Sequence, residues 1–351
     1  MIKVLVVDDS AVVRKVLTEE LAKTGDIVVV GTAVDPYAAR EKIAELKPDV
    51  ITLDIEMPRM DGLSFLAKLM KHNPIPTIVV SSVAPEKSET ALQAMRLGAI
   101  DVIPKPSSQF SVPDVRRHLA RAIRAAASAN LSARIVPVHQ GPGTDVRGGL
   151  GSVDTTHKLI ALGASTGGTR ALEDVLVTMP PDVPGIVIVQ HMPPGFTKSF
   201  AERLNDVCKI TVKEAETGDR VVPGRALIAP GARHMLVRRS GAQMTVAIKD
   251  GPPVNHHRPS VDVLFNSVAD SVGRNAVGAI LTGMGGDGAR GLLALREAGA
   301  HTIAQDRESS VVFGMPKVAI ELGAALEVLP LHKVTSAILD AVAGETVGVA
   351  R

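Results

Sequence analysis

Over the first third of the chain, short apolar runs alternate with stretches where apolar residues recur every three or four positions. The runs fall at residues 3–7, 27–31, 50–53, 77–80 and 99–103, and between the first two Val13, Leu17 and Leu21 repeat at steps of four. Short Val- and Ile-rich runs without polar alternation read as strands buried on both faces. The four-step repeats read as helices laid against them. Five such units predict a doubly wound parallel sheet, with functional side chains at the C-terminal ends of the strands.

The pattern lapses from Ala125 to His157. "AAASANLSARIVPVHQGPGTDVRGGLGSVDTTH" is rich in Ala, Ser, Gly and Pro and has no apolar period, as a flexible linker would. Alternation resumes with "KLIALGAS", "GIVIVQH", "RALIAP", "MTVAIKD", "AVGAILTG" and "HTIAQD". Helical patterns follow at residues 169–179, 197–206, 261–272 and 289–298, and another opens in "GMPKVAIELG", where Pro316 suits a first helical turn. The expected organisation is an α/β domain over 1–124, a linker over 125–157, and a second doubly wound, mainly parallel α/β domain over 158–351.

Composition narrows the function. The chain has 351 residues, enough for two domains, and is 45% apolar but only 2% aromatic with no Trp. The cores must be built from Val, Ile, Leu, Ala and Met, and no aromatic platform for single-stranded nucleic acid is available. The net charge is +2 with both signs interspersed, so no basic field for nucleic acid is expected. Cys208 is the one cysteine, which excludes an internal disulfide and a Cys-based zinc cluster and fits a reducing cytosol. The N-terminal apolar run is too short for a signal peptide, and no stretch is long and apolar enough to span a membrane. A cytoplasmic monomer without membrane insertion is the expectation.

Asp8 and Asp9 follow the first strand and Asp54 follows the third, which lie side by side in a doubly wound sheet. Three carboxylates so close repel unless a cation sits among them, and oxygen-only ligands suit Mg²⁺. Lys105 after the fifth strand adds a positive charge, and Ser81 after the fourth adds a hydroxyl. Helix capping is the alternative for any one of these acids; the set together points to phosphoryl transfer onto Asp54.

These residues, with "LVVDDSAVVRKVL", "DVITLDIEMPRMDGLSFL", "VVSS" and "GAIDVIPKP", resemble a flavodoxin-like response-regulator receiver domain. The resemblance implies phosphorylation of Asp54 by a histidine kinase, and a cis peptide between Lys105 and Pro106. Where many receivers carry an aromatic switch residue on the fifth strand, this chain has Val102, so output is expected to run through packing.

The second domain carries Gly163-Ala164-Ser165-Thr166-Gly167, a G-x-S-x-G turn after a strand and before a helix. Such a turn exposes a hydroxyl and sets helix N-terminal amides beside it. The next run ends in His191, which would share a rim with Ser165 as its base, and Asp287 sits past another strand end, placed to fix the imidazole. The order Ser, His, Asp differs from that of the α/β-hydrolases. An ordinary turn at Ser165 and a buried structural imidazole at His191 are the alternatives. His256, His257 and Arg258 form a second group near Ser260, a plausible helix cap; His234 and His301 read as incidental.

The Asp287 loop also fits another motif. Gly283, Gly285 and Gly288 match G-x-G-x-x-G, and the following strand ends in Asp306, as in a dinucleotide fingerprint. A carboxylate inside the loop would repel a pyrophosphate, so the match is read as accidental and the loop as a holder for Asp287.

"LIALGASTGGTRAL", "VIVQHMPPGFTKSFAERL", "ALIAPG", "HRPSVDVLF", "LTGMGGDGARGL" and "QDRESSVVFGMPK" resemble the protein-glutamate methylesterases of chemotaxis, the CheB family, which join a receiver to this hydrolase. The resemblance implies Ser165, His191 and Asp287 as the catalytic set and methylated chemoreceptors as substrates. It also implies a chemotaxis histidine kinase as phosphodonor and deamidation of receptor glutamines as a second activity. Thr166 and Met284 amides are expected to hold the oxyanion. The receiver is expected to cover the rim near Ser165 until phosphorylated. Two other classes remain at this point: a receiver with a DNA-binding output, which lacks a basic recognition helix, and a receptor-binding module with an idle triad.

Overall fold

The computed structural model describes residues 1–57, 60–81, 85–105, 111–131, 157–241 and 243–344. The chain divides into two compact units, Met1–Leu131 and Ser132–Arg351. Most of the expected linker, residues 132–156, lies outside the described residues.

In the first unit β1 (Ile2–Val7), β2 (Ile27–Ala33), β3 (Val50–Asp54), β4 (Thr77–Ser81) and β5 (Asp101–Pro104) form one parallel sheet in the order β2-β1-β3-β4-β5. Helices α1 (Ala11–Ala22) and α5 (Val112–Ala127) pack together, and α3 (Gly62–His72) packs with α4 (Pro85–Leu97). Helix α2 (Pro36–Leu46) lies against β1 and β2. Short polar side chains start three of these helices. Ser10, Asp35 and Asp61 accept hydrogen bonds from the amides of Val13, Ala38 and Ser64, satisfying donors that a first turn leaves open. Strand β3 is buried along its whole length, as its continuous apolar run requires. Helix α5 runs three residues beyond the expected domain edge at 124, because Ala125 and Ala126 are fully buried.

The second unit is built on seven strands in the order β14-β13-β12-β6-β7-β9-β8, every pair parallel. They are β6 (Leu159–Ala164), β7 (Gly185–Gln190), β8 (Thr211–Glu214), β9 (Arg225–Ile228), β12 (Ala276–Ile280), β13 (His301–Gln305) and β14 (Glu327–Leu329). "MTVAIKD" does form a strand, β11 (Gln243–Lys249), but outside this sheet. It pairs antiparallel with β10 (His234–Ser240).

Helices α8 (Val261–Ser271), α9 (Ala289–Glu297) and α10 (Met315–Glu321) make one layer, against which the hairpin packs. Helices α6 (Gly168–Val177), α7 (Phe196–Val207) and α11 (Leu331–Ala343) make the other. Phe265, Leu264 and Val268 of α8 join Leu292 and Leu295 of α9 and Met235 and Val246 of the hairpin in one core. From β6 the chain moves outward to β7 on one side, and later to β12 and β13 on the other. The sheet therefore has its switch point between β6 and β12, where an open α/β sheet leaves a crevice at its C-terminal edge. Among the described residues no helix is long and apolar enough to cross a membrane.

Candidate active site and acidic pocket

Ser165 is the residue after β6 and His191 the residue after β7, and Ala164 pairs with Gln190 in register. The His191 amide donates to the Ala164 carbonyl (3.1 Å), so the two side chains leave the sheet from adjoining strand ends. Ser165 is buried to 8% exposure and lies just before the left-handed Gly167 that starts α6. Its own N–H donates to the Thr282 carbonyl (3.0 Å) and its carbonyl accepts from Gly168 (2.7 Å).

Asp287 comes from the loop after β12, across the switch point. Its Oδ2 accepts from Nε2 of His191 (2.8 Å) and from the Val261 amide (2.7 Å). Its Oδ1 accepts from Asn255 Nδ2 (2.8 Å), Ser260 Oγ (2.7 Å) and, at 3.4 Å, the Asp262 amide. Burial alone would raise the pKa of this carboxyl. The His191 hydrogen bond and charge, with the Asn255 and Ser260 bonds, outweigh burial and hold it well below the usual carboxylate range. Asp287 is thus an anion fixed on both oxygens, and its bond to Nε2 leaves Nδ1 as the other working atom of the imidazole. Nδ1 is buried and has no hydrogen-bond partner.

The glycines of the Asp287 loop serve this packing. A Cβ on Gly283 would come within 2.7 Å of the Ser165 Cβ. Gly288 caps α9 with φ +92°, and a Cβ there would meet Val261 at 2.5 Å. The loop closes on its own carboxylate and on α8, which leaves the G-x-G-x-x-G spacing without a role in holding a pyrophosphate.

Three contributors escaped the sequence reading. Asn255 spans two carboxylates with one amide group, donating to Asp287 and to Oδ2 of Asp262 (2.7 Å). Gln190, 3% exposed, donates to the carbonyls of both Ser165 (2.9 Å) and His191 (3.2 Å). Thr282 donates its hydroxyl to the Thr166 carbonyl (3.0 Å) and accepts from the Val312 amide (2.9 Å), tying the serine turn to the loop after β13.

His234 is not incidental. Its Nε2 donates to the Pro252 carbonyl (3.0 Å) and its Nδ1 accepts from the Ser260 amide (3.3 Å), bracing both ends of the loop that feeds Asp287. Ser260 caps α8 as expected, with a 3.4 Å bond from Val263. His257 stacks on His191, ring centroids 3.6 Å apart and planes 13° from parallel. His301 pairs with Glu327 away from this set (2.6 Å). Burial pushes the half-buried Cys208 thiol up to about 11, so it does not offer a thiolate nucleophile at neutral pH.

In the first unit Val7 pairs with Leu53, which brings Asp8 and Asp9 beside Asp54. One carboxylate oxygen from each of the three lies within 4.8 Å of the others, a grouping that suits a metal ion. Asp8 and Asp54 are buried and Asp9 is exposed. Lys105 Nζ stands 2.7 Å from Oδ2 of Asp54 and 3.0 Å from Oδ2 of Asp8. That Asp8 oxygen is buried and faces the Lys105 ammonium, which offsets part of the charge gathered here. Burial raises the pKa of Asp54 against the opposing pull of Lys105. Lys105 itself is raised: burial would lower it, but the bonds and charges of Asp54 and Asp8 prevail. Ser81 is the buried last residue of β4. Pro106, and with it the expected cis peptide, lies outside the described residues.

Comparison with known proteins matches each of the two units to a family. The family model for the response regulator receiver domain matches residues 4–114, and that for CheB methylesterase matches residues 160–338. A protein-glutamate methylesterase/protein-glutamine glutaminase of Syntrophus aciditrophicus is 56% identical over 96% of this chain and 98% of its own length. A protein of the same description from Anaeromyxobacter dehalogenans is 54% identical over 99% and 96%. The crystal structure of the Thermotoga maritima CheB methylesterase catalytic domain is 41% identical and superposes with a TM-score of 0.51, covering 52% of this chain and 97% of that one. The chain belongs to the CheB family, a receiver joined to a methylesterase domain.

Proposed function

We propose that this protein removes methyl esters from glutamate side chains of chemoreceptors and deamidates receptor glutamines, using Ser165, His191 and Asp287. The observation that carries the reading is the buried Asp287 carboxylate bonded to His191 (2.8 Å), one strand end from Ser165. The two curated relatives are named for both activities.

The base is Nδ1 of His191. As the Ser165 oxygen attacks the ester carbonyl, its proton passes to Nδ1, and the imidazolium is stabilised by the anion on Nε2. The Ser165 amide is committed to Thr282, and we assign the oxyanion to the amides of Thr166 and Met284. Among the described residues the Met284 amide has no protein acceptor. His191 returns the proton to the leaving group, methanol from an ester or ammonia from an amide, and an acyl-serine remains. Water then gives a proton to Nδ1 as its oxygen attacks the acyl carbon, and His191 passes that proton to the departing Ser165 oxygen, leaving free serine and a glutamate side chain.

In the first unit, Asp54 takes the phosphoryl group from the phosphohistidine of a chemotaxis histidine kinase. The P–N bond breaks and a P–O bond to the carboxylate forms. Asp8, Asp9 and Asp54 would hold Mg²⁺, which neutralises charge on the phosphoryl oxygens when bound. Lys105 and Ser81 hold the product.

The test is methanol release from methylated receptors by the full-length protein in the presence of a small phosphodonor. Ser165→Ala should lower turnover by at least about a thousandfold with receptor binding retained. A Ser165→Ala variant that still releases methanol at the wild-type rate removes the serine mechanism.

A further inference from the structure

We propose that His257 is a positioning residue for the base, its ring fixing the plane of the His191 imidazole. The inference rests on the triad reading above. A hydrogen bond at Nε2 pins one edge of the His191 ring to Asp287, yet a single edge contact leaves the ring able to rock about that edge. With the ring tethered at Cβ–Cγ and bonded at Nε2, rotation that tilts it moves Nδ1, the atom assigned above as the base. A flat partner on the ring face removes this motion. His257 supplies one, 3.6 Å between centroids and 13° from parallel. In-plane rotation is set by the carboxylate and tilt by the stacked ring.

His257 is itself firmly held. It exchanges two main-chain bonds with Val254 (2.9 and 3.0 Å), closing a turn in which Asn255 and His256 take left-handed φ of +50° and +66°. Asn and His are among the non-glycine residues that tolerate such angles, and contacts select them here. The selecting contact is visible: Asn255 is bound to both Asp262 and Asp287. The carbonyl of the next residue, Arg258, accepts from Ala232 (3.1 Å). One turn therefore sets the acid through Asn255 and the plane of the base through His257. A misplacement of about 1 Å in a reacting atom costs on the order of 100-fold in rate, so a loosened ring should show in turnover and not in receptor affinity.

The experiment compares His257→Ala, His257→Phe and His257→Gln in the full-length protein with phosphodonor, beside Ser165→Ala and His191→Ala. Turnover and KM on methylated receptors are read together with the rate at which a serine-directed phosphonate labels Ser165, which needs no receptor contact. His257→Ala should lose about 10- to 100-fold in both kcat and labelling rate with KM unchanged. His257→Phe should recover most of both, because it restores a flat face without nitrogen chemistry. Rescue by Gln and not Phe would overturn the proposal in favour of a hydrogen-bonding role. A rise in KM alone would overturn it in favour of substrate contact, and wild-type behaviour of His257→Ala would overturn it outright. If Ser165→Ala and His191→Ala stay active, the triad reading itself fails, a result distinct from any of these.

Discussion

Asp287 accepts five hydrogen bonds with two oxygens, and no neutral side chain of its shape can do the same. Asn at this position has one acceptor and would aim an NH₂ at donors on the other side. Asp287→Asn should therefore lower kcat by about 10⁴-fold and cost about 1–3 kcal/mol through donors left unpaired. The stability loss has a pH signature. The folded-state pKa of Asp287 is depressed, so its contribution is fully present above the ordinary carboxylate value of about 3.9 and is lost as pH falls toward the folded value. The gap between wild type and Asp287→Asn in thermal or urea unfolding should narrow as pH falls below about 4; a gap that does not narrow there would contradict an anionic Asp287. Ser165, His191 and Asp287 were legible in the sequence because each follows an apolar run, and strand ends are where a parallel sheet exposes chemistry. Asn255 and Gln190 were not. Asn255 acts through a fold-back turn, and Gln190 through a side chain that reaches the Ser165 carbonyl past the end of the neighbouring strand, and neither relation has a fixed spacing.

Where β6, β12 and α8 converge, glycines let backbones approach more closely than side chains would allow. A Cβ on Gly283 would meet the Met315 sulfur at 2.3 Å and the Ser165 Cβ at 2.7 Å. The flexible thioether can move away, but Ser165 sits on a turn pinned by Thr282 and Gly168 and cannot. Gly283→Ala should fold, at an overpacking cost of about 1–3 kcal/mol, and displace the nucleophile. Its kcat on methylated receptors should fall by on the order of 10- to 100-fold, while Gly218→Ala, where a Cβ meets nothing within 4 Å but φ is +96°, should lose stability with kcat at the wild-type value. Equal kcat for the two would show that the serine turn yields. The central strands were readable as uninterrupted Val/Ile runs. Strand β14 escaped because three residues carry no period, and β8 because only one of its four residues is buried. The β11 run was readable as a strand but not as half of a hairpin, since an apolar run does not specify its partner.

The acidic pocket and the hydrolase site belong to different units, each with its own core. Chemistry at Asp54 can therefore alter turnover at Ser165 only by changing the relative populations of states that differ in activity. A tenfold activation needs about 1.4 kcal/mol of difference in how the phosphoryl group favours those states. The starting point for that difference is Lys105, whose ammonium is held by Asp54 and Asp8. A phosphoryl group on Asp54 offers it new anionic oxygens, and charge-assisted bonds of that kind exceed neutral ones about twofold. With a small phosphodonor, methanol release by the full-length protein should rise; Asp54→Asn should keep basal turnover and lose the rise. Removing residues 1–140 should raise basal turnover above that of the unphosphorylated full chain, and the fragment should ignore the phosphodonor. The fragment keeps all of the described residues of the second compact unit. If the fragment turns over no faster than the unphosphorylated full chain, the receiver is not a brake, and phosphorylation must instead act by improving a site that is poor without it.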